Sequence, residues 1–553
     1  MMLEKKYMAI LVFSVLLIST VALSGCVDPD DEGEDTTKLR MGFAWPTEID
    51  PATGTDKSST VAFTNFYDPL VFPTQEGVKP WIAEDWDVSE DGMTWTFHLR
   101  DDVTFHSGNE MTAEDVMFSM ERLVTMGEGF SYLFAPYINL NESEVVDDYT
   151  VRFQLNEPRG VFLSSLVRLY IVDEEEILDN AVEDGDFEYE PWDNDLGRNY
   201  LIENTAGTGP YEVYEAVVED HFYGERFEDY WGPMAENAAD EFRMLALGEA
   251  ATERTLFGDQ ELEITSEWLE HHTSVDISEA HDGKVGAYPE GGALYGMMHT
   301  QKEPLDCIHV RKALAHVFDY ESQIDDIFPE SVLPKGIVPL TLGGASEMDM
   351  PRQDLTLAQE SLEQSKYYPD IVENPEDYEI EASWTGAVPA TEHVALMLAG
   401  DAEEIGLNVE SNRYEWGALI DAMYDVESSP HIGIVWVSAS YPEAGALLHA
   451  RYHSRNSDSW EQNEWLDNEE IDNLIDEALA EPDIDERFEL YEEVQEKIFE
   501  LYPSIVMHDQ YSMHVYQPYV TWPQAEDPEE LAPPASGYSP DARLIEVLPH
   551  NER

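Results

Sequence analysis

The sequence predicts a mixed α/β fold with several sheets, because strand patterns and helix patterns alternate along the chain. Two segments, 94–100 and 150–155, alternate apolar and polar residues, which is typical of half-buried strands. The segment 432–437 has no polar side chain, as expected of a central strand that is buried on both faces. These three segments, with helical patterns between them, define the fold class.

A tight turn and a capped helix are predicted close to the first strand. The segment 89–92 ends in Asp-Gly, a pair that favours a hairpin turn. Thr112 is a capping residue, and acidic residues and then an apolar face follow it. Apolar residues recur with helical spacing in further segments, which are 310–318, 393–404, 469–479 and 485–501.

The chain of 553 residues has a large excess of acid, with 29 Lys and Arg against 117 Asp and Glu and a net charge of −88. Hydrophobic residues make up 43% of it, as in ordinary folded domains, so the acid does not indicate disorder. Nucleic acid is excluded as a partner, and so is docking on an anionic membrane through a basic face, because both need clustered Lys and Arg.

The acidic residues are spread along the whole chain rather than gathered in one tail. At low salt such a surface repels itself, whereas molar salt shortens the Debye length to about 3 Å and screens the repulsion. The charge therefore predicts a halophilic protein, with a merely acidic and soluble surface as the alternative.

The first 25 residues have the pattern of a signal peptide. Lys5 and Lys6 precede an apolar stretch at 7–23, and small residues lead to Cys26. The ending Leu-Ser-Gly-Cys resembles a bacterial lipobox, which implies that Cys26 is lipidated and becomes the first mature residue. An uncleaved transmembrane anchor is the alternative. Both readings place the rest of the chain at the outer face of the cytoplasmic membrane.

Residues 26–38 are acidic and polar and contain Gly and Pro, so we expect a flexible tether there. Cys307 is the only other cysteine. It precedes a helical pattern and is expected to be a small buried side chain. A lipidated Cys26 leaves no intramolecular disulfide.

Residues 80–123 carry a run of motifs in a fixed order. They are an Ile-Ala-Glu-Asp-Trp step at 82–86, the turn at 89–92, a strand pair at 99–108 and a Thr-Ala-Glu-Asp-Val helix start at 112–116. This run resembles the signature of the family 5 extracellular solute-binding proteins, the dipeptide and oligopeptide type of ABC transporter receptor. Asp102 stands where that family usually has Gly.

Further landmarks of the same family follow in the same order. They are Tyr-Asp-Pro-Leu-Val at 67–71, Gly-Thr-Gly-Pro-Tyr at 207–211, Val-Arg-Lys-Ala-Leu at 310–314, Ile-Gly-Leu-Asn-Val at 405–409, Glu-Trp at 415–416 and a late helix at 487–495. The resemblance therefore extends over 39–520, nearly all of the expected mature chain.

The resemblance implies a periplasmic-binding-protein-like fold of two lobes joined by a hinge, with an extra domain inserted in the first lobe. The first lobe is expected at 39–70, 205–285 and 501–553, the inserted domain at 71–204 and the second lobe at 286–500. A small-molecule or peptide ligand binds in the cleft, and the lobes close over it. The implied protein is a monomer that serves ABC permease subunits; it is not an enzyme and needs neither cofactor nor metal.

The loop 435–443 is the best candidate for ligand contacts. Peptide-binding relatives have an aspartate here that holds the α-amino group of the peptide, whereas this chain has Ala439 or Ser440 at that place. Glu443 is the nearest substitute. The predicted ligand-binding residues in the loop are Trp436, Ser438, Ser440, Tyr441 and Glu443.

Two further residues complete the predicted site. Trp384 precedes a loop that covers the cleft in such relatives, and aromatic faces suit sugar rings or apolar side chains. No Arg occurs between Arg352 and Arg413, so Arg413 or Arg451 is left to bind a ligand carboxylate. Trp416 is assigned to the core.

Other ligands and functions stay open. Oligosaccharides and metal chelates such as nickel complexes are alternatives to peptides, and a sensory receptor is an alternative to an importer. A secreted hydrolase is disfavoured, because the chain has no G-x-S-x-G elbow. His449 and His453 can share one helical face as a metal pair, but the sequence offers no clear third ligand.

Overall fold

The computed structural model describes residues 36–43, 48–75, 77–183, 187–386, 388, 390–457 and 459–553. The predicted signal peptide at 1–25, Cys26 and most of the tether at 26–38 lie outside these residues. The elements below belong to one unit, Thr37–Leu548. Residues Pro549–Arg553 belong to a second unit and include a 3-10 turn at His550–Glu552.

The described strands are given in chain order. They are β1 (Lys38–Phe43), β2 (Val71–Thr74), β3 (Gly77–Pro80), β4 (Ala83–Val88), β5 (Thr94–Leu99), β6 (Glu144–Asp147), β7 (Thr150–Gln154), β8 (Tyr211–Val217), β9 (His221–Arg226), β10 (Glu241–Ala246), β11 (Lys284–Met298), β12 (Ile380–Thr385), β13 (Val409–Tyr414), β14 (Ile432–Ser438), β15 (Ser504–Tyr516), β16 (Val520–Thr521) and β17 (Glu546–Val547).

Most of these strands form three sheets. One has the order β1-β10-β9-β8, another β4-β5-β7-β6 and the third β13-β12-β14-β11-β15, while β2 pairs with β3 and β16 with β17. In the third sheet β13, β12 and β14 run parallel, whereas β11 is antiparallel to both β14 and β15. Strand β14 is therefore the central strand that the apolar run at 432–437 predicts.

The longer described helices are α1 (Lys57–Phe66), α2 (Ala113–Met126), α3 (Ala250–Gly258), α4 (His271–His281), α5 (Ile308–Val317), α6 (Leu355–Leu362), α7 (Ala390–Glu403), α8 (Trp416–Met423), α9 (Ala444–Tyr452), α10 (Glu469–Ala480) and α11 (Ile484–Phe499). Shorter ones are Phe162–Ser165, Glu174–Asn180, Tyr320–Asp326, Asp370–Glu373, Pro523–Glu526 and Pro528–Leu531. Every helix within the described residues is too short or too polar to cross a bilayer.

Local chemistry sets the predicted ends of these elements. The Thr112 side chain accepts a hydrogen bond from the Glu114 backbone N–H, and Asp115 accepts one from the Thr112 backbone N–H, so the capping box of α2 is complete. Gly92 has a φ of +68°, which the turn between β4 and β5 requires. Glycine is required at position 207 for a different reason: a Cβ there would lie 2.2 Å from the carbonyl oxygen of Phe66.

The third sheet is covered on both faces. Ile432 and Ile434 of β14 pack into the same apolar cluster as residues of α5 and α7, whereas Val435 and Val437 belong to a second, larger cluster. Successive side chains of a strand point to opposite faces, so both faces of β14 are apolar. Cys307, just before α5, is buried as predicted.

Candidate ligand-binding cavity

A cavity of about 230 Å³ lies at the carboxyl ends of strands β12 and β14. Trp436 of β14 lines it, together with Val388 and Ala390, which follow β12. Ligands of open α/β sheets bind in the crevice outside the carboxyl ends of parallel strands, because the loops there leave space. The fold therefore places this cavity at the edge where binding is expected.

The opposite wall comes from the segment 267–272. Just before it, Ile264 pairs in parallel with Met41 of β1 and antiparallel with Tyr516 of β15. This pairing fixes the start of the segment against two sheets. The segment then passes over the cavity and continues into α4.

Three aromatic rings meet inside the cavity. The ring of Trp268 lies 6.4 Å from that of Trp436, with the two planes at 69°, and Phe328 contacts Trp436 edge-on at 5.6 Å. Trp268 is 42% exposed, so its face is open to a bound molecule. Edge-to-face aromatic groups of this kind bind apolar side chains or rings.

His508 supports Trp436 from behind and is a neutral imidazole. It is almost fully buried, and burial lowers its pKa to about 3. Its Nε2 accepts a hydrogen bond from Trp436 Nε1–H at 3.3 Å. Its Nδ1 lies 2.6 Å from the side-chain amide of Gln323. This chain of contacts fixes the orientation of Trp436.

A buried charge group, made of Lys57, Glu267, Glu290 and Ser512, lies at one end of the cavity. Lys57 Nζ contacts Glu267 and lies 2.6 Å from Glu290 Oε1 and 2.7 Å from Ser512 Oγ. Burial alone favours the neutral amine, but the two carboxylates outweigh it and raise the pKa of Lys57. Lys57 likewise outweighs burial at Glu267 and lowers its pKa, whereas burial dominates at Glu290 and raises its pKa. The single ammonium group of Lys57 therefore binds two acidic side chains, so acidic groups outnumber cations at this end of the cavity.

Histidines lie at the rim of the cavity. His271 Nδ1 is 3.4 Å from Glu330 Oε2, while His272 and His393 are exposed nearby. Across the described residues, no group of three or more His, Cys, Asp or Glu side chains is arranged to hold a metal ion. His449 and His453 do come close, with ring centroids 5.4 Å apart, and His453 Nε2 also lies 3.3 Å from Asp476 Oδ1.

The structure brings one predicted site residue, Trp436, into the cavity, and Ser438 lies next to it through a 3.3 Å contact with the lining residue Gln510. Trp384 is buried, and its Nε1–H donates to Ser411 Oγ at 2.9 Å. The Arg413 side chain is 60% exposed and forms an ion pair with Glu415 at 3.0 Å. The ligand contacts of these residues stay predictions.

The rest of the predicted loop turns away from the aromatic rings. Tyr441 and Glu443 are buried, and the Glu443 carboxylate is bound by Arg487. The backbone carbonyl of Ser440 accepts a hydrogen bond from Arg168 Nε at 2.6 Å. Because Glu443 already has buried partners, a role as an amine acceptor would require breaking an ion pair.

Trp416, which the sequence assigns to the core, is instead 38% exposed.

Several residues that line the cavity are not predicted by the sequence motifs. Trp268, Phe328 and Gln510 belong to none of the motifs, and they come from parts of the chain that are far apart in sequence. Only the cluster of aromatic and histidine residues at 268–272 is a local signal, and by itself it does not distinguish a cavity wall from a surface helix.

An aromatic cavity with a few fixed polar groups defines a protein that binds a small solute. This chain belongs to the bacterial extracellular solute-binding proteins of family 5, whose model for the middle region matches residues 77–459. It is a solute-binding protein of the ABC transporter type and not an enzyme. The predicted family and fold class are confirmed.

Individual relatives agree with this assignment. The chain is 26% identical to the dipeptide-binding protein of Escherichia coli (strain K12), over 82% of this chain and 83% of that protein. It is 25% identical to heme-binding protein A of Haemophilus influenzae, over 83% of each chain. Among solved structures, DppA of Helicobacter pylori in complex with the peptide STSA has a TM-score of 0.71 at 22% identity, covering 93% of this chain and 99% of that chain.

Proposed function

We propose that this protein captures peptides in a cleft between two lobes and delivers them to an ABC permease. The aromatic cavity supports this most directly: its two walls come from the segment 267–272 and from the carboxyl ends of β12 and β14. In the proposed domain division these walls belong to different lobes. A ligand that contacts both walls stabilises the closed state, because only that state offers both sets of contacts.

The proposed lobes are 39–70 with 205–285 and 501–553 for the first, and 286–500 for the second, with an inserted domain at 71–204. Strands β11 and β15 connect them. Their pairing changes register between Pro289 and Ala293, and Gly291 in this gap has a φ of +64°. A break in a long strand pair is a suitable place for a hinge, because few hydrogen bonds have to change there.

Peptides are the proposed ligand class because the dipeptide-binding relative aligns along most of this chain. The aromatic rings also fit oligosaccharides, and the rim histidines fit a metal chelate such as a nickel complex. A thermal-shift screen of the purified protein in molar salt should therefore include di- to pentapeptides, oligosaccharides and nickel chelates. We expect peptides to raise the melting temperature. Stabilisation by sugars or chelates alone would overturn the peptide assignment.

We further propose that the mature protein is a monomer on the outer face of the cytoplasmic membrane, held there by lipid on Cys26. The Leu-Ser-Gly-Cys sequence at 23–26 supports this. Mass spectrometry of the wild-type N-terminus should show acyl groups on Cys26 and the loss of residues 1–25, and Cys26→Ser should abolish the acylation. A wild-type protein that keeps residues 1–25 and carries no acyl group would point to the transmembrane-anchor alternative.

A further inference from the structure

A second cavity, of about 220 Å³, is lined by the hairpin β2–β3 and by the C-terminal segment 524–544. It shares no lining residue with the aromatic cavity. Two cations, Lys79 and Arg543, are among the residues that line it. Because the chain has only 29 Lys and Arg against 117 Asp and Glu, two cations at one small cavity are a distinctive feature.

Arg543 is a buried guanidinium with unused donors. The residue is 4% exposed, and its Nε donates to Asp541 Oδ2 at 2.8 Å. Its terminal nitrogens, Nη1 and Nη2, have no hydrogen-bond partner among the described residues, although Arg543 lines the cavity. Buried donors of a charged side chain are normally paired, because leaving them without an acceptor costs free energy. An acceptor inside the cavity supplies the missing hydrogen bonds.

Aromatic rings hold the Arg543 guanidinium in place. Its Cζ lies 4.3 Å from the ring centre of Trp81 and 4.9 Å from that of Phe72. Trp81 is itself fixed, since its Nε1–H donates to the buried carboxylate of Asp68 at 2.7 Å. Little side-chain entropy is therefore lost when Arg543 binds an acceptor, because its position is already set.

Lys79 brings a second cation to the same two rings. Its Nζ lies 4.9 Å from the ring centre of Phe72 and 5.3 Å from that of Trp81, and it forms neither an ion pair nor a hydrogen bond with a described residue. Lys79 is accessible to solvent, so its charge is available to a ligand. Burial lowers the pKa of Lys79, and the charge of Arg543 lowers it further. The two cations therefore oppose each other, and an anion in contact with both relieves that repulsion.

Acidic groups at the cavity do not cancel both cations. Asp541 is buried, and both of its oxygens accept from Arg543 Nε, at 2.9 and 2.8 Å. Glu530 is exposed on the short helix Pro528–Leu531, where water and salt screen its charge. Asp541 is thus occupied by Arg543, and Lys79 is left without a counter-ion in the part of the chain that the structure describes.

We propose that this cavity binds a small organic carboxylate, which accepts from Lys79 Nζ and from the terminal nitrogens of Arg543. A guanidinium and a carboxylate match in geometry and form charge-assisted hydrogen bonds. The apolar part of the ligand packs against the prolines and leucines of the lining, which are Pro73, Pro233, Leu531, Pro533 and Leu544. Pockets for drug-sized ligands measure about 300–1,000 Å³, so this smaller cavity suits a small ligand. The site is separate from the aromatic cavity and does not depend on the peptide assignment.

Benzoate is the probe for this site, and benzamide is its neutral counterpart of the same shape. Saturation-transfer NMR on the purified protein, at one fixed ionic strength in molar salt, measures both dissociation constants. We expect benzoate to bind at least fivefold more tightly than benzamide, because only benzoate carries the charge. Inorganic phosphate has the charge but no apolar part, and should displace benzoate only at concentrations at least fivefold above the benzoate dissociation constant.

Variants locate the bound probe. Lys79→Gln removes the accessible cation and should weaken benzoate binding at least fivefold, whereas Lys79→Arg keeps the charge and should retain it. Lys366→Gln is the matched control, since Lys366 is another exposed lysine over an aromatic ring, that of Tyr367 at 4.9 Å, and does not line the cavity. Trp268→Ala alters only the aromatic cavity and should leave benzoate binding unchanged.

Three results would contradict the proposed site. Equal binding of benzoate and benzamide, or unchanged benzoate binding in Lys79→Gln, would overturn the carboxylate site. Loss of benzoate binding in Trp268→Ala would place the probe in the aromatic cavity and would overturn it as well. Displacement of benzoate by phosphate at the benzoate dissociation constant would overturn the role of the apolar lining. The comparison of the two probes uses the wild type alone, and melting without ligand checks the fold of each variant.

Discussion

Arg487 and Glu443 form a two-pronged ion pair in the interior, with Nε to Oε2 and Nη2 to Oε1 both at 3.0 Å. Both side chains are buried, and the Tyr491 hydroxyl and Ser164 hydroxyl also bind the carboxylate. The pair joins α11 to the N-terminus of α9, while Ser164 comes from another part of the chain. Glu443 is therefore a packing residue of this junction in the structure, although the sequence predicts a ligand contact.

Substitution Arg487→Met is expected to lower the free energy of unfolding by about 3–5 kcal/mol, because it leaves the Glu443 carboxylate buried without its cation. Urea unfolding at neutral pH measures the change. The control is Arg455→Met, since Arg455 is 59% exposed and only 3.8 Å from Asp476, so the unfolding midpoint should stay close to that of the wild type. A small effect at Arg487 would contradict the strong coupling that the geometry indicates.

Trp268→Ala tests the aromatic cavity as the ligand site. Loss of one exposed aromatic wall should weaken binding of the best peptide from the screen about tenfold, since an aromatic contact is worth roughly 1 kcal/mol or more. Trp86→Ala is the control, because Trp86 is a half-buried tryptophan that lies on β4, away from the cavity. If both variants bind alike, the ligand lies elsewhere.

Lys57→Met tests the buried charge group. Without the ammonium, Glu267 and Glu290 are buried and have lost the cation that pairs with them, and we expect a loss of about 3–5 kcal/mol in the free energy of unfolding at pH 8. The loss should shrink at pH 5, because the folded variant can then protonate these acids. Lys366→Met removes an exposed ion pair with Asp306 and should leave the urea midpoint nearly unchanged. A loss that does not depend on pH would contradict the charge explanation.

His508 gives a pH dependence of defined sign. The pKa of His508 is about 3 in the folded state, against an ordinary value of 6.5. Between these pH values the imidazole takes up a proton when the protein unfolds. The free energy of unfolding therefore falls as the pH falls from 6.5 towards 3. In His508→Asn the unfolding free energy should fall less steeply between pH 6 and 4, by about 1.4 kcal/mol per pH unit. Urea unfolding at pH 4, 5 and 6 measures the slopes, with His272→Asn as the exposed control. Equal slopes for wild type and His508→Asn would contradict a neutral buried imidazole.

The net charge of −88 predicts salt-dependent stability. Raising sodium chloride from 0.1 M to 3 M should raise the melting temperature on the order of 10 °C, because screening removes repulsion between surface carboxylates. Sucrose at matched osmolality separates screening from general solute exclusion and should give a smaller rise. Equal melting temperatures in dilute buffer and molar salt would contradict adaptation to high salt.

Much of the fold is predictable because its signals are local. The capping box at Thr112 and Asp115 and the turn at Gly92 depend on a few neighbouring residues, and the structure forms both. The apolar run at 432–437 predicts a buried central strand, and β14 lies between β12 and β11. The ligand-binding residues were harder to predict, since Trp436 lines the cavity while Glu443 and Tyr441, in the same loop, are buried in another part of the core.

The sequence by itself determined the family, the fold class and the acidic surface, because motif order, periodicity and charge are properties of neighbouring residues and of composition. Only the tertiary structure decided which side chains share a site. Lys57 meets Glu267 across 210 positions and Ser512 across 455, and Trp268 faces Trp436 from the segment before α4. Such contacts depend on how sheets and loops pack, which no local pattern records.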